Sequence, residues 1–174
     1  MRRAPSVVCA LSLVVVTGCA GDQMTGNDWT IATNAVPNDM TLAVVALVDV
    51  TGTRRSTAEF TGRPLVVNFW YASCEPCKRE MPVLAAFHEE RGGDITVLGV
   101  NMGDPSVVAS NFVANYQVGF PVLLDDEGVL AAAMRIGLAP TTLVVAPDGT
   151  VVHHVAGELT RDELDQAVAH LEVP

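Results

Sequence analysis

The chain has 174 residues, 49% of them hydrophobic and 17% charged, and its 20 Asp and Glu outnumber 10 Lys and Arg for a net charge of −10. The apolar share is ample for one buried core. The acid excess argues against a nucleic-acid partner and against a polybasic grip on anionic lipid, and solubility is its plain meaning.

Met1-Arg2-Arg3 is a short basic start, and Pro5 to Val16 is an apolar segment of twelve residues. That is too short to span a bilayer as a stable helix and the right length for a signal peptide. It ends in Val16-Thr17-Gly18-Cys19, which resembles the lipobox of bacterial lipoproteins, where the cysteine becomes the lipidated first residue after cleavage. Residues 1–18 are therefore expected to be a lipoprotein-type signal peptide, and Cys19 an anchor holding the protein on the extracytoplasmic side of the cell membrane. Cleavage removes Arg2, Arg3 and Cys9, leaving eight basic against twenty acidic residues, a net charge of −12. Only Cys74 and Cys77 then remain as thiols, so an oxidising compartment is met with a functional pair alone. Residues 20–39 are polar with no sustained period. They read as a tether with a reach of roughly 25 Å, and residues 40–174 as one domain.

Within that domain, Leu42 to Val48 reads as a strand, Thr51-Gly52 as a turn and Thr53 to Ser56 as a returning hairpin arm. Gly62-Arg63-Pro64 breaks the chain before a strand over Leu65–Trp70. A helix is expected from Glu75 to Glu90, with Met81, Leu84 and His88 on one face and a kink from Pro82 near Lys78. Ile95 to Val100 is a strand. Asp104 is expected to cap a helix to Tyr116 with Pro105 at its first position, burying Val108, Phe112 and Tyr116. Phe120 to Leu124 is a short strand, and Val129 to Ile136 a helix stopped by Gly137. Thr141–Ala146 and Val151–Val155 are strands joined by a hairpin at Pro147-Asp148-Gly149-Thr150. Thr160-Arg161-Asp162-Glu163 is a capping box opening a last helix through Leu171. The alternation predicts an α/β fold, a central mixed sheet covered on both faces.

The chemistry concentrates in Leu65–Pro82. A strand delivers Cys74 and Cys77, at C-x-x-C spacing, to the start of a helix. There the unpaired backbone N–H groups and the positive end of the dipole favour a thiolate. The pair is a redox dithiol or half of a metal site. A structural zinc site would need further ligands at short spacing. No second Cys pair exists, and His88, His153, His154 and His170 form no H-x3-5-H pair. A copper-delivery role would want a His beside the thiolates. His153 and His154 are adjacent on a strand and point to opposite faces. No metal and no cofactor is expected.

Phe69-Trp70, Cys74-Glu75-Pro76-Cys77-Lys78 and Pro82 together resemble the thioredoxin superfamily. Asn68 ahead of them, Glu80 three residues past Cys77 and the anchored N-terminus resemble more narrowly its TlpA/ResA group of extracytoplasmic thiol–disulfide oxidoreductases. Gly137-Leu138-Ala139-Pro140-Thr141-Thr142 matches the group's second signature, whose proline is cis, and Val107–Leu124 its helix-and-strand insert. The resemblance covers about residues 40–172. It implies a thioredoxin-like fold in which Cys74 is the exposed attacking thiolate and Cys77 the buried resolving thiol. It further implies that Glu80 manages the Cys77 proton, Pro140 packs on the dithiol, Ala139 offers its backbone to substrate and Trp70 flanks the site. Partners would be thiols and disulfides of exported proteins, first among them apocytochrome c thiols in cytochrome c maturation, and a membrane electron donor or acceptor.

The chain also departs from these patterns. Plain thioredoxins have a buried Asp where Asn68 stands, and the group usually has Trp where Ser73 precedes the first cysteine. Glu75 between the cysteines opposes the helix dipole near Cys74, while Lys78 and Arg79 act the other way. Three alternatives follow: an oxidase of exported proteins, a copper- or zinc-binding chaperone, and a peroxiredoxin-like peroxidase. The last would want Pro and Thr or Ser seven and three residues before the reactive cysteine, where Val67 and Tyr71 stand.

Overall fold

The structure, a computed structural model, describes residues 40–171; the expected signal peptide, Cys19 and tether lie outside the described residues. The elements run β1 (Ala46–Asp49), β2 (Arg54–Ser56), a 3-10 turn (Thr57–Phe60), β3 (Leu65–Trp70), α1 (Glu75–Arg91), β4 (Thr96–Asn101), α2 (Ser106–Asn115), β5 (Val122–Leu124), α3 (Val129–Ala133), β6 (Thr141–Val145), β7 (Val151–Ala156) and α4 (Arg161–Val168). They build one sheet of seven strands in the order β2-β1-β5-β4-β3-β6-β7. β3, β4 and β5 are parallel; the flanking strands are antiparallel to their neighbours. The expected mixed sheet is present, and its thioredoxin-like arrangement sets β3 between β4 and β6.

Strand β3 is buried at all six positions because helices cover both of its faces. Val66 and Trp70 face a core shared with Cys77, Met81, Leu84 and Phe87 of α1, Phe112 of α2 and Leu164 of α4. Leu65, Val67 and Phe69 face a second core with Phe60, Leu130 and Met134. The period of two thus sends Asn68 to the α1 side, where Glu80 lies. Strands β6 and β7 join at the expected hairpin, Gly149 at φ 91° supplying the left-handed residue.

Several local expectations are corrected. On α1 it is Phe87 that is fully buried, and His88 is only half-buried; Pro82 lies inside the helix on its exposed side. Helix α2 has Pro105 at its cap position with no side-chain cap bond, because the Asp104 carboxylate turns back to another partner. It buries Ala109 and Phe112, whereas Val108 is 38% exposed. Helix α3 ends before Gly137: Arg135 takes the left-handed conformation at φ 57°. The Ile136 N–H then reaches Ala131 O at 2.8 Å and closes the helix end. Helix α4 opens on the Thr160–Glu163 capping box as expected, then tightens into a 3-10 turn over Ala169–Leu171. The 3-10 turn at Thr57–Phe60, with its own capping box from Ser56 and Glu59, was not expected.

Candidate active site

Strand β3 ends at Trp70, and three residues later the chain enters α1 with Cys74 as its N-cap. Pro76 fits the first turn because no N–H is needed there. Cys74 and Cys77 are joined as a disulfide. The Cys77 N–H also donates to Cys74 Sγ at 3.1 Å, so one of the helix's unpaired amides already points at the first sulfur. In the reduced protein the same amide and the helix dipole favour a thiolate at that position.

Cys77 is fully buried, and Cys74 retains 4% of its surface. In the disulfide form, then, only a small part of Cys74 meets solvent, less than the exposed position expected of its reduced thiolate. Around the pair the charges are locally matched. Lys78 Nζ pairs with Glu75 at 2.6 Å, and Arg79 grips Glu158 with two nitrogens, the closest contact being 2.6 Å. Neither cation is left to act on Cys74 alone.

Behind the dithiol stands a buried acid. Glu80, one helical turn beyond Cys77, is 1% exposed. Its Oε1 accepts the Leu159 N–H at 3.0 Å, and its Oε2 accepts Asn68 Nδ2 at 2.9 Å. Asn68 Nδ2 also donates to Thr142 Oγ1 at 3.0 Å, across the β3–β6 pairing that sets Asn68 opposite Thr142. Burial pushes the Glu80 carboxyl up to about 7, against the opposing pull of the Leu159 and Asn68 hydrogen bonds; the nearby Glu158 charge adds to the rise. Glu80 can therefore hold or release a proton near neutral pH, on the same buried face of α1 as Cys77.

The Ala139–Pro140 peptide is cis. Pro140 is buried and its carbonyl accepts the Gly157 N–H at 2.8 Å, while half-buried Ala139 packs on the cluster that holds Cys74 and Cys77. Trp70 does not flank the surface. It is fully buried and stacks on Phe112 at 4.4 Å, and Phe112 stacks in turn on Tyr116 at 4.4 Å. The expectation that Trp70 flanks the site is thus corrected, since its indole is packed against Phe112 of α2. Above this stack a groove of about 330 Å³ opens, lined by Ala72, Lys78, Val108, Asn111, Phe112 and Tyr116 among others. A larger hollow of about 590 Å³ around Arg63 and Arg91 lies at the opposite end of β3 and α1.

Sequence reasoning missed Thr142 and the Leu159 N–H as partners of the buried network. It also missed Asp104 and Asn101 beside the active-site loop. An Asn and an Asp three apart at a strand end read equally well as a helix cap, which hid the second pair.

The model of the family described as the AhpC/TSA family matches residues 34–154. The chain belongs to the AhpC/TSA family. Among its relatives, the thiol-disulfide oxidoreductase ResA of Bacillus subtilis (strain 168) is 34% identical over 115 residues, covering 66% of this chain and 64% of that protein. The alignment therefore spans just under two thirds of the Bacillus relative. ResA of Geobacillus kaustophilus is 28% identical over 153 residues, covering 83% of this chain and 85% of the relative. Among solved structures, a secreted Mycobacterium tuberculosis disulfide oxidoreductase homologous to E. coli DsbE superposes with a TM-score of 0.68 at 26% identity, covering 73% of this chain and 96% of that one. Within the AhpC/TSA family this chain is a TlpA/ResA-like thiol–disulfide oxidoreductase with a thioredoxin-like fold.

Proposed function

We propose that the protein exchanges disulfides with exported proteins outside the cytoplasm, held at the cell membrane by lipidated Cys19, with Cys74 as nucleophile and Cys77 as resolving thiol. The observation that carries this reading is the Cys74–Cys77 disulfide at the mouth of α1, backed by a buried acid whose carboxyl titrates near neutral pH. The reduced Cys74 thiolate attacks one sulfur of a substrate disulfide. A Cys74–substrate mixed disulfide forms, and the first substrate thiolate leaves and takes up a proton. Cys77, its proton passed to Glu80, then attacks Cys74 Sγ. The Cys74–Cys77 bond forms, the second substrate thiolate departs and is protonated, Glu80 gives up the proton it took from Cys77, and two electrons have moved from the protein to the substrate. A membrane electron donor restores the dithiol. Ala139, ahead of β6, offers its backbone to an extended substrate segment beside Pro140.

Reduction of an apocytochrome c disulfide to its haem-site thiols is the favoured direction, on the resemblance to the TlpA/ResA group. Oxidation of exported proteins uses the same atoms in reverse. The peroxidase alternative is not favoured, because Val67 is buried in β3 and Tyr71 is a loop residue 36% exposed, where that class would have Pro and Thr or Ser. The test is the potential of the Cys74–Cys77 couple together with trapping of partners by Cys77→Ala. A reducing potential with oxidised exported proteins captured supports the assignment. A potential at the oxidising end with reduced partners captured reverses the direction, and insulin reduction by Cys74→Ala at the wild-type rate removes Cys74 as nucleophile.

A further inference from the structure

The loop between β3 and Cys74 is short of side-chain anchors. Tyr71 and Ser73 are both exposed, and only Ala72 is half-buried. What fixes this loop comes from the end of the neighbouring strand. Asp104 Oδ2 accepts the Ala72 N–H at 2.6 Å and Asn101 Nδ2 at 2.7 Å, while the Asp104 N–H donates to Asn101 Oδ1 at 3.0 Å. Asn101 is fully buried as the last residue of β4 and pairs in register with Trp70. The Met102 N–H donates to Trp70 O at 2.8 Å, so the ends of β3 and β4 are already tied. Asp104 carries that tie two residues further along the loop. The Cys74 N–H then closes on Tyr71 O at 3.1 Å, which sets Cys74 where the Cys77 amide reaches its sulfur.

We propose that Asp104 is a positioning residue for the disulfide exchange: by holding the Ala72 amide it keeps Cys74 Sγ on the Cys77 N–H at the helix mouth. A hydrogen bond to a carboxylate is about twice as strong as a neutral one and shortens accordingly. It is also the reason α2 begins without a side-chain cap, since the carboxylate that could have served α2 serves the loop. Both bonds converge on one oxygen, so an amide oxygen in its place accepts the same two donors. Charge and position can therefore be separated.

The inference rests on the reading of Cys74 as the nucleophile, and the experiment tests the two independently. In the reduced full-length protein, iodoacetamide alkylation is followed against pH, with mass spectrometry naming the labelled cysteine. Labelling of Cys77 before Cys74 in the wild type overturns the nucleophile reading, and the inference with it. If Cys74 is labelled first, D104A is expected to slow its alkylation near pH 7 by about tenfold, the order given by losing one hydrogen bond to a charged group. D104N, which keeps the accepting oxygen but not the charge, is expected to slow it by only about threefold. Should D104A fail to fold, D104S is read in its place, because the shorter hydroxyl cannot span to Ala72. Wild-type alkylation by the truncated variant, with only its melting temperature lowered, reduces Asp104 to a structural role and overturns the proposal. Equal slowing by D104N and D104A overturns it as well, by assigning the effect to charge.

Discussion

Leu159 donates its N–H to Glu80 Oε1 at 3.0 Å, and one residue back along each segment Arg79 pairs with Glu158 at 2.6 Å. Two consecutive residues of α1 are thus fastened to two consecutive residues ahead of α4, one bond buried and one at the surface. The inner bond holds the acid. The outer pair closes over it.

Because the Glu80 carboxyl is raised from 4.5 to about 7, the folded protein binds this proton more tightly than the unfolded chain. Its contribution to stability is fully present below the unfolded value and is lost as pH rises through about 7. The loss between those limits is expected to be roughly 3 kcal/mol. Urea unfolding from pH 4 to pH 8 measures it, and Glu80→Gln is expected to flatten the profile across that window.

The Glu158 charge pushes the Glu80 carboxyl upward. Glu158→Gln removes that push, so the midpoint of the stability profile is expected to move to lower pH. The Arg79–Glu158 pair is solvent-facing, so the melting temperature at pH 5 should barely change. A midpoint that stays in place would separate the outer pair from the acid beneath it.

Asn68 acts in the opposite sense, since its amide favours the charged form of Glu80. Asn68→Ala is expected to raise the Glu80 titration above its wild-type position, read as an upward shift in the pH profile of insulin reduction. The variant also leaves Thr142 without this donor, and a stability cost of about 1–3 kcal/mol is expected.

Phe112 is the middle ring between Trp70 and Tyr116. Phe112→Ala is expected to destabilise the fold by about 3–5 kcal/mol. It should also shift Trp70 emission to the red as water reaches the indole. Unchanged emission would mean that the groove floor closes over the missing ring.

Strand β3, the C-x-x-C helix start, the β6–β7 hairpin and the Thr160 capping box were legible because each rests on local chemistry: an apolar run, a cap, a glycine turn. The placement of Glu80 three residues past Cys77 followed from the helix period alone. Its partners did not. Leu159 lies 79 residues away and Thr142 pairs with Asn68 only through the sheet, so nothing local announces either. Asp104 and α3 show the other limit. Asp104 had a good local use as a cap and a better distant one, and Arg135 ended α3 in a conformation usually left to glycine.

The strand that presents the dithiol lies in the interior of the sheet, while β2 and β7 form its rims. In amide-exchange experiments the rims should open by small local excursions, and β3 only when the whole domain unravels. Under the proposed mechanism, a partner linked covalently to Cys74 would pull on a strand that is paired along both of its edges.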